Sequence, residues 1–144
     1  MKVYFDTSVL VASSIRVHVH FHQAQKAVLA VHAKHVEGYT STHALAEFYS
    51  ATTRTPFPSP VSPHEAWQLL SENILPSFEI VSLSKADYER ALERCVQNGW
   101  PGGRIYDSLH IESAQKAECE RICTLNVRHF RQLAPELGER IAAP

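Results

Sequence analysis

The sequence has little that would place it outside a cell or in a membrane. Its three cysteines, Cys95, Cys119 and Cys123, are odd in number and form no CxxC pair. Neither a disulfide framework nor a structural zinc site is therefore indicated, and they read as packing residues. No apolar run approaches the length of a membrane span. The N-terminus also lacks the succession of basic, apolar and small residues that marks a signal peptide, so the expected location is the cytoplasm. Neither sign of charge prevails: 14 Lys and Arg stand against 15 Asp and Glu, a net charge of −1. Whole-chain charge announces no nucleic-acid partner, and any such binding must rest on a local patch. The adjacent glycines in Trp100-Pro101-Gly102-Gly103-Arg104 lack the lysine and spacing of a P-loop, which argues against a nucleoside-triphosphate cradle.

What is present is one domain's worth of alternating strands and helices. A chain of 144 residues, 44% hydrophobic and 20% charged, has room for a sheet and flanking helices in a single domain spanning 1–144. Val3-Tyr4-Phe5 is a β-prone run suited to a strand buried on both faces. Thr7-Ser8 offers an N-cap to a helix reaching about Ile15. A second helix, about Phe21 to Ala33, carries Ala24, Ala27, Val28 and Val31 on its apolar stripe. Gly38 to Ser41 reads as a strand, followed by a helix from Ala44 to Thr53 with Leu45, Phe48 and Tyr49 as its greasy face. The proline-dense stretch Arg54 to Pro63 is a stiff surface loop. Ser62, Pro63 and Glu65 then start a helix by capping rules, with Ala66, Trp67, Leu70 and Ile74 apolar. Phe78 to Leu83 is a third strand. Ser84 caps a helix with Tyr88, Ala91, Leu92, Cys95 and Val96 at helical spacing, ended by Asn98-Gly99. Ile105 to Ala114 is helical, Arg121 to Leu125 is a fourth strand, and a short helix near Phe130 to Leu133 precedes an edge strand around Ile141. Such alternation is the signature of an α/β fold with a parallel sheet.

Three carboxylates recur at informative places, each with an ordinary explanation beside a functional one. Asp6 ends the first strand, at the sheet edge where α/β proteins bind ligands, yet Asp is also a common helix cap. Glu47 lies beside the small Ala44 and Ala51 on its helix, although a lone helical Glu is usually solvated. Asp107 sits in a first helical turn, where the macrodipole favours an acid, and His110 lies one turn on, as a packed, hydrogen-bonded or catalytic residue. Asn126 leaves the fourth strand as Asp6 leaves the first, with Thr124 two residues earlier on the same strand face. His18, His20 and His22 alternate with apolar residues; they are either a zinc or copper motif on a strand or residues straddling a helix start. Arg104 and Arg128 are candidates for phosphate contact.

With Phe5-Asp6-Thr7-Ser8-Val9-Leu10, Thr42 to Tyr49 with Glu47, Tyr106-Asp107-Ser108-Leu109-His110, and Thr124 to Phe130 in this order, nearly the whole chain resembles the PIN-domain ribonucleases, especially toxins of VapC type. The resemblance implies a parallel sheet of strand order 3-2-1-4-5 that brings Asp6, Glu47 and Asp107 together. Many members carry Asp where this chain has Asn126. It also implies an endoribonuclease in which Asp6, Glu47 and Asp107 hold Mg²⁺ or Mn²⁺, hard cations suited to clustered oxygen ligands. Thr124 and Asn126 would orient a water or a ligand. The implied substrate is single-stranded or loop RNA, and the implied partners are a cognate antitoxin and a second copy, joined as a homodimer through helices near Trp67. Two competing readings are an RNA-binding PIN fold without catalysis and a zinc hydrolase centred on His18, His20 and His22.

Overall fold

The structure is a computed structural model that describes every residue, Met1–Pro144. Five strands, β1 (Lys2–Phe5), β2 (Glu37–Ser41), β3 (Phe78–Val81), β4 (Arg121–Cys123) and β5 (Ile141–Ala142), form a sheet of order β3-β2-β1-β4-β5. All four pairings are parallel, so every strand delivers its carboxyl end to one edge. The helices are α1 (Thr7–Ser14), α2 (Phe21–His32), α3 (Thr42–Arg54), α4 (Pro63–Leu69), α5 (Lys85–Asn98), α6 (Arg104–Lys116) and α7 (Val127–Leu133). No helix is long and apolar enough to cross a membrane.

β1 splits the core in two. Its side chains alternate across the sheet, so Val3 and Phe5 join a layer with Val9, Leu10, Val28 and Phe48. Tyr4 faces the opposite layer, with Ile111, Ile122, Phe130 and Ile141. Phe5, Phe48 and Phe130 are fully or almost fully buried, each worth about 1.5–3 kcal/mol by removal from water. Helix α2 packs closely on the sheet at Gly38, where an added Cβ would meet Val31 Cγ1 at 2.5 Å and Phe78 Cδ1 at 3.0 Å.

The capping expectations hold at α4, where Ser62 Oγ accepts the Glu65 N–H, and at α5, which ends on Gly99 at φ 65°. Elsewhere the structure corrects the reading. Asp6, not Thr7 or Ser8, is the N-cap of α1, and both hydroxyl residues lie inside the helix. Helix α4 passes at Leu70–Ile74 into a π-helical turn that apolar spacing does not reveal. Tyr49, Trp67, Tyr88, Leu92 and Val96 are exposed although placed on apolar faces. On α5 the buried stripe is narrow, Asp87, Ala91 and Cys95, because the Ser108 hydroxyl of α6 donates to the Ala91 carbonyl at 2.8 Å and holds the helices close. β4 stops at Cys123, two residues early: Thr124 Oγ1 accepts the Asn126 N–H at 2.9 Å and turns the chain. Thr124 is consequently fully buried whereas Asn126 is exposed, so they share no strand face.

Candidate active site

The end of β1 places Asp6 under the sheet edge, 2% exposed. Its Oδ1 accepts the Val9 N–H at 3.2 Å and the Ser8 hydroxyl at 2.6 Å, and its Oδ2 accepts the Thr124 hydroxyl at 2.7 Å. Ser8 Oγ in turn accepts the Leu125 N–H at 3.0 Å, tying α1 to the segment after β4. Burial nevertheless pushes the Asp6 carboxyl above its usual range, outweighing the His110 charge and these donors. The expected cap and the expected site residue are thus one arrangement: a helix cap spends one lone pair of a carboxylate that has about four.

Asp107, in the first turn of α6, is displaced the same way. Burial raises its carboxyl and the Asp6 charge adds to this, against the opposing pull of His110. His129 Nδ1 lies 4.0 Å from its Oδ2. Two carboxylates that feel each other's charge, one of them without a close counter-ion, form a site in want of positive charge.

Glu47 is the opposite case. All its contacts converge on Oε1: His110 Nε2 at 2.7 Å, His43 Nε2 at 2.9 Å and the Thr7 hydroxyl at 3.1 Å. Burial alone would raise this carboxyl, but the imidazoles of His110 and His43 together hold it well below the usual range. His110 is itself buried and anchored on its other nitrogen, with Tyr4 Oη 2.7 Å from Nδ1 and Ser41 Oγ 3.0 Å beyond. His43 is stacked on Tyr106, ring centroids 5.2 Å apart. Thr7 links the groups, since its Oγ1 lies 3.3 Å from His110 Nε2 and the residue follows Asp6.

Of the expected residues, Asp6 and Thr124 are in direct contact, Asp107 interacts with Asp6 through charge, and Glu47 is joined to them through Thr7 and His110. Asn126 reaches the group through its backbone N–H on Thr124. Arg104 stands one helical turn before Asp107, its guanidinium 4.1 Å from the Trp100 ring centroid, and Arg128 is exposed. Tyr4, Thr7, Ser8 and His43 were missed. Only Thr7-Ser8, as hydroxyls beside Asp6, carried a local signal; the Tyr4 to His110 contact spans 106 positions. His18 lies in the turn before α2, His20 caps that helix and His22 is within it, so no strand aligns the three. Cys119 and Cys123 are pushed up to about 11 and about 12, chiefly by burial, as inert packing thiols are.

The family model described as PIN domain matches residues 3–135. The chain belongs to the PIN-domain family. A curated relative, Ribonuclease VapC27 of Mycobacterium tuberculosis (strain ATCC 25618 / H37Rv), is 34% identical over 115 residues, covering 80% of this chain and 78% of the relative. Among solved structures, Mycobacterium tuberculosis VapC20, a Sarcin-Ricin loop cleaving toxin, superposes with TM-score 0.67 at 15% identity over 83% of this chain and 86% of its own. VapBC2 from Rickettsia felis, bound to a DNA fragment from their promoter, gives 0.66 at 16% identity over 100% and 98%. At those identities the structures speak for the PIN fold, including the strand order 3-2-1-4-5.

The residues fit a hard divalent cation: an all-oxygen group, Asp6, Asp107 and the free Oε2 side of Glu47, in which burial raises the pKa of both aspartates and the Asp6 charge adds to the rise at Asp107. A surface cleft of about 600 Å³ lies elsewhere, between the end of α1 and the proline-dense loop, lined by Ile15, Val17, Phe57, Val61 and Leu69.

Proposed function

We propose that this chain is a metal-dependent endoribonuclease that hydrolyses RNA phosphodiester bonds, the toxin of a toxin–antitoxin pair acting in the cytoplasm. Family membership and the 34% identical ribonuclease support the reaction class. The observation that carries the chemistry is the meeting of the buried Asp6 and the half-buried Asp107, whose carboxyl the Asp6 charge helps to raise. In this reading Asp6, Asp107 and Glu47 hold Mg²⁺ or Mn²⁺. Such an ion, when bound, activates a water and offsets charge on the scissile phosphate.

The chain's own residues do the positioning. Thr124 and Ser8 fix the two oxygens of Asp6, and His110 and Thr7 hold Oε1 of Glu47, so that Oε2 is presented to the ion. Asn126, exposed at the start of α7, orients a water or the RNA. Arg104, braced on Trp100, and Arg128 contact phosphate. A splayed single strand or loop suits the sheet edge better than an RNA duplex. A cognate antitoxin is the protein partner, and the exposed Trp67 on α4 is where a second copy would pack in a homodimer.

The test is purified, antitoxin-free protein incubated with RNA. Cleavage should require Mg²⁺ or Mn²⁺ and stop on adding EDTA. Cleavage that survives EDTA, or RNA binding with no cleavage under any divalent ion, would replace this reading with a metal-independent nuclease or a binding module.

A further inference from the structure

His43, Glu47 and His110 present three ligand atoms within 4.8 Å of one another, and the proposed nuclease chemistry does not use the two imidazoles as ligands. Their chemistry differs from that of the carboxylates. Two neutral imidazoles and one carboxylate are a borderline-soft set preferred by Zn²⁺ over Mg²⁺. We propose that His43, Glu47 and His110 form a second metal site, for a tetrahedral transition-metal ion of the Zn²⁺ class, which shares Glu47 with the carboxylate group and whose occupation withdraws that residue from it.

The geometry is built rather than incidental. His43 and Glu47 are four residues apart on α3, one turn, so both project from one helical face. His43 Nε2 is buried and, although 2.9 Å from Glu47 Oε1, is not aligned to form a hydrogen bond with it; its ring is fixed by Tyr106. His110 has the outer support that metal-bound histidines ordinarily have. Its Nδ1–H can donate to Tyr4 Oη while the Tyr4 hydroxyl donates to Ser41 Oγ, so Nε2 becomes a ligand once the proton between it and Glu47 leaves. Zinc bonds of about 2.0–2.2 Å in a tetrahedron need ligand atoms roughly 3.4 Å apart. The 2.7 and 2.9 Å separations therefore have to open by roughly 0.5–0.7 Å to reach that spacing, replacing a proton between His110 and Glu47 by the cation. Side-chain exposure of 29% at Glu47 and 17% at His43 gives an ion a way in and leaves a fourth position for water. Glu47 faces the imidazoles with Oε1 only, so the same carboxylate borders both sites.

Binding stands on this geometry alone, whereas the functional consequence rests on the proposed nuclease reading, and two readouts separate them. The first is a Co²⁺ titration of the full chain followed by visible absorption, in which tetrahedral cobalt gives intense bands and octahedral cobalt weak ones. One equivalent should give the intense bands, and Zn²⁺ should erase them. His43→Ala should lose them, Tyr4→Phe should weaken binding about 10–100-fold, and Asp107→Asn should keep them, each with a far-ultraviolet circular dichroism spectrum like the parent's. Weak bands only, bands that survive His43→Ala and so belong to His18, His20 and His22, or bands lost in Asp107→Asn would overturn the site. The second readout is Mn²⁺-supported RNA cleavage with one equivalent of Zn²⁺ added. The parent should be inhibited and His43→Ala should lose that inhibition relative to its own zinc-free rate. Zinc that binds without inhibiting would refute the sharing of Glu47. Absence of cleavage under any ion would refute the nuclease reading and leave the cobalt result to decide the site.

Discussion

Replacing Thr124 by Val removes one oxygen from the centre of the candidate site and little else, because the two side chains have nearly the same shape. The Thr124 hydroxyl donates to Asp6 Oδ2 at 2.7 Å and accepts the Asn126 N–H at 2.9 Å, in a residue with no solvent exposure. A hydrogen bond to a charged group contributes about 1.5–3 kcal/mol. The Asn126 N–H lies next to an exposed residue and can turn to water, so it adds little. The expected loss is therefore about 2–3 kcal/mol at neutral pH, and for a chain of this length each kcal/mol moves Tm by roughly 3–5 °C, for a total near 10 °C. Thr124→Ser keeps the oxygen and should lose less than about 1.5 kcal/mol.

The pH dependence has a defined sign. Burial already raises the Asp6 carboxyl above its unfolded value, so ionising it costs stability as pH rises through the folded pKa. Removing a donor to the ionised form raises that pKa further. The deficit of Thr124→Val relative to the parent should be full above the variant's raised pKa, shrink as pH falls from that value to the parent's folded pKa, and stay at its smaller value below it. Urea unfolding at several pH values measures this. A deficit that is absent at neutral pH, or that grows on acidification, would mean that Asp6 is not the ionised acceptor assumed here.

Three further outcomes follow from other parts of the structure. Asp107→Asn should abolish RNA cleavage and remove the rise in Tm on adding Mn²⁺, while leaving the metal-free protein as stable as the parent or more so, since the Asp107 carboxyl is raised in the folded state; an unchanged Mn²⁺ shift would show that Asp107 is no ligand. Gly38→Ala should cost about 1–3 kcal/mol by overpacking against Val31 and Phe78, seen as a lower urea midpoint with unchanged slope. Glu112→Ala should cost about 3 kcal/mol by thermal or urea melt, because it strips a buried carboxylate from Arg94 at 2.9 Å and from Arg90, with RNA cleavage per folded molecule unaffected.

How much could be read in advance depended on how local the cause was. Asp6 was legible because a charge ends an apolar run, and α4 because Ser62, Pro63 and Glu65 make a cap within four residues. The sheet order came through the family resemblance, since nothing in Val3-Tyr4-Phe5 states which strands flank it. Helical spacing misplaced Tyr88, Leu92 and Val96 because it cannot tell a broad face from the narrow stripe, Asp87, Ala91 and Cys95, that the closeness of α6 demands. The histidine pair around Glu47 was illegible for another reason. His110 reads as one polar residue on a mostly apolar helix, and only the fold brings it to Glu47, 63 positions away, and to Tyr4, 106 away. The alternating histidines His18, His20 and His22 gave the louder local pattern, yet they fall on a turn and a helix start.

The candidate site divides its charge unequally, and that division bears on where a cation would enter. Asp6 and Asp107 are held against their own ionisation, whereas Glu47 is held ionised by His110 and His43. Were all three carboxylates left like Asp107, each would repel the others and the metal-free fold would carry that cost. Were all three paired like Glu47, an arriving ion would have to displace an internal cation for every bond it formed. The mixed arrangement keeps an attractive pair for a hard ion and a third carboxylate already ionised and oriented through Oε1. In the proposed second site the imidazoles that orient Glu47 would also take a softer ion, so Zn²⁺ bound there would compete with the hard ion for Glu47.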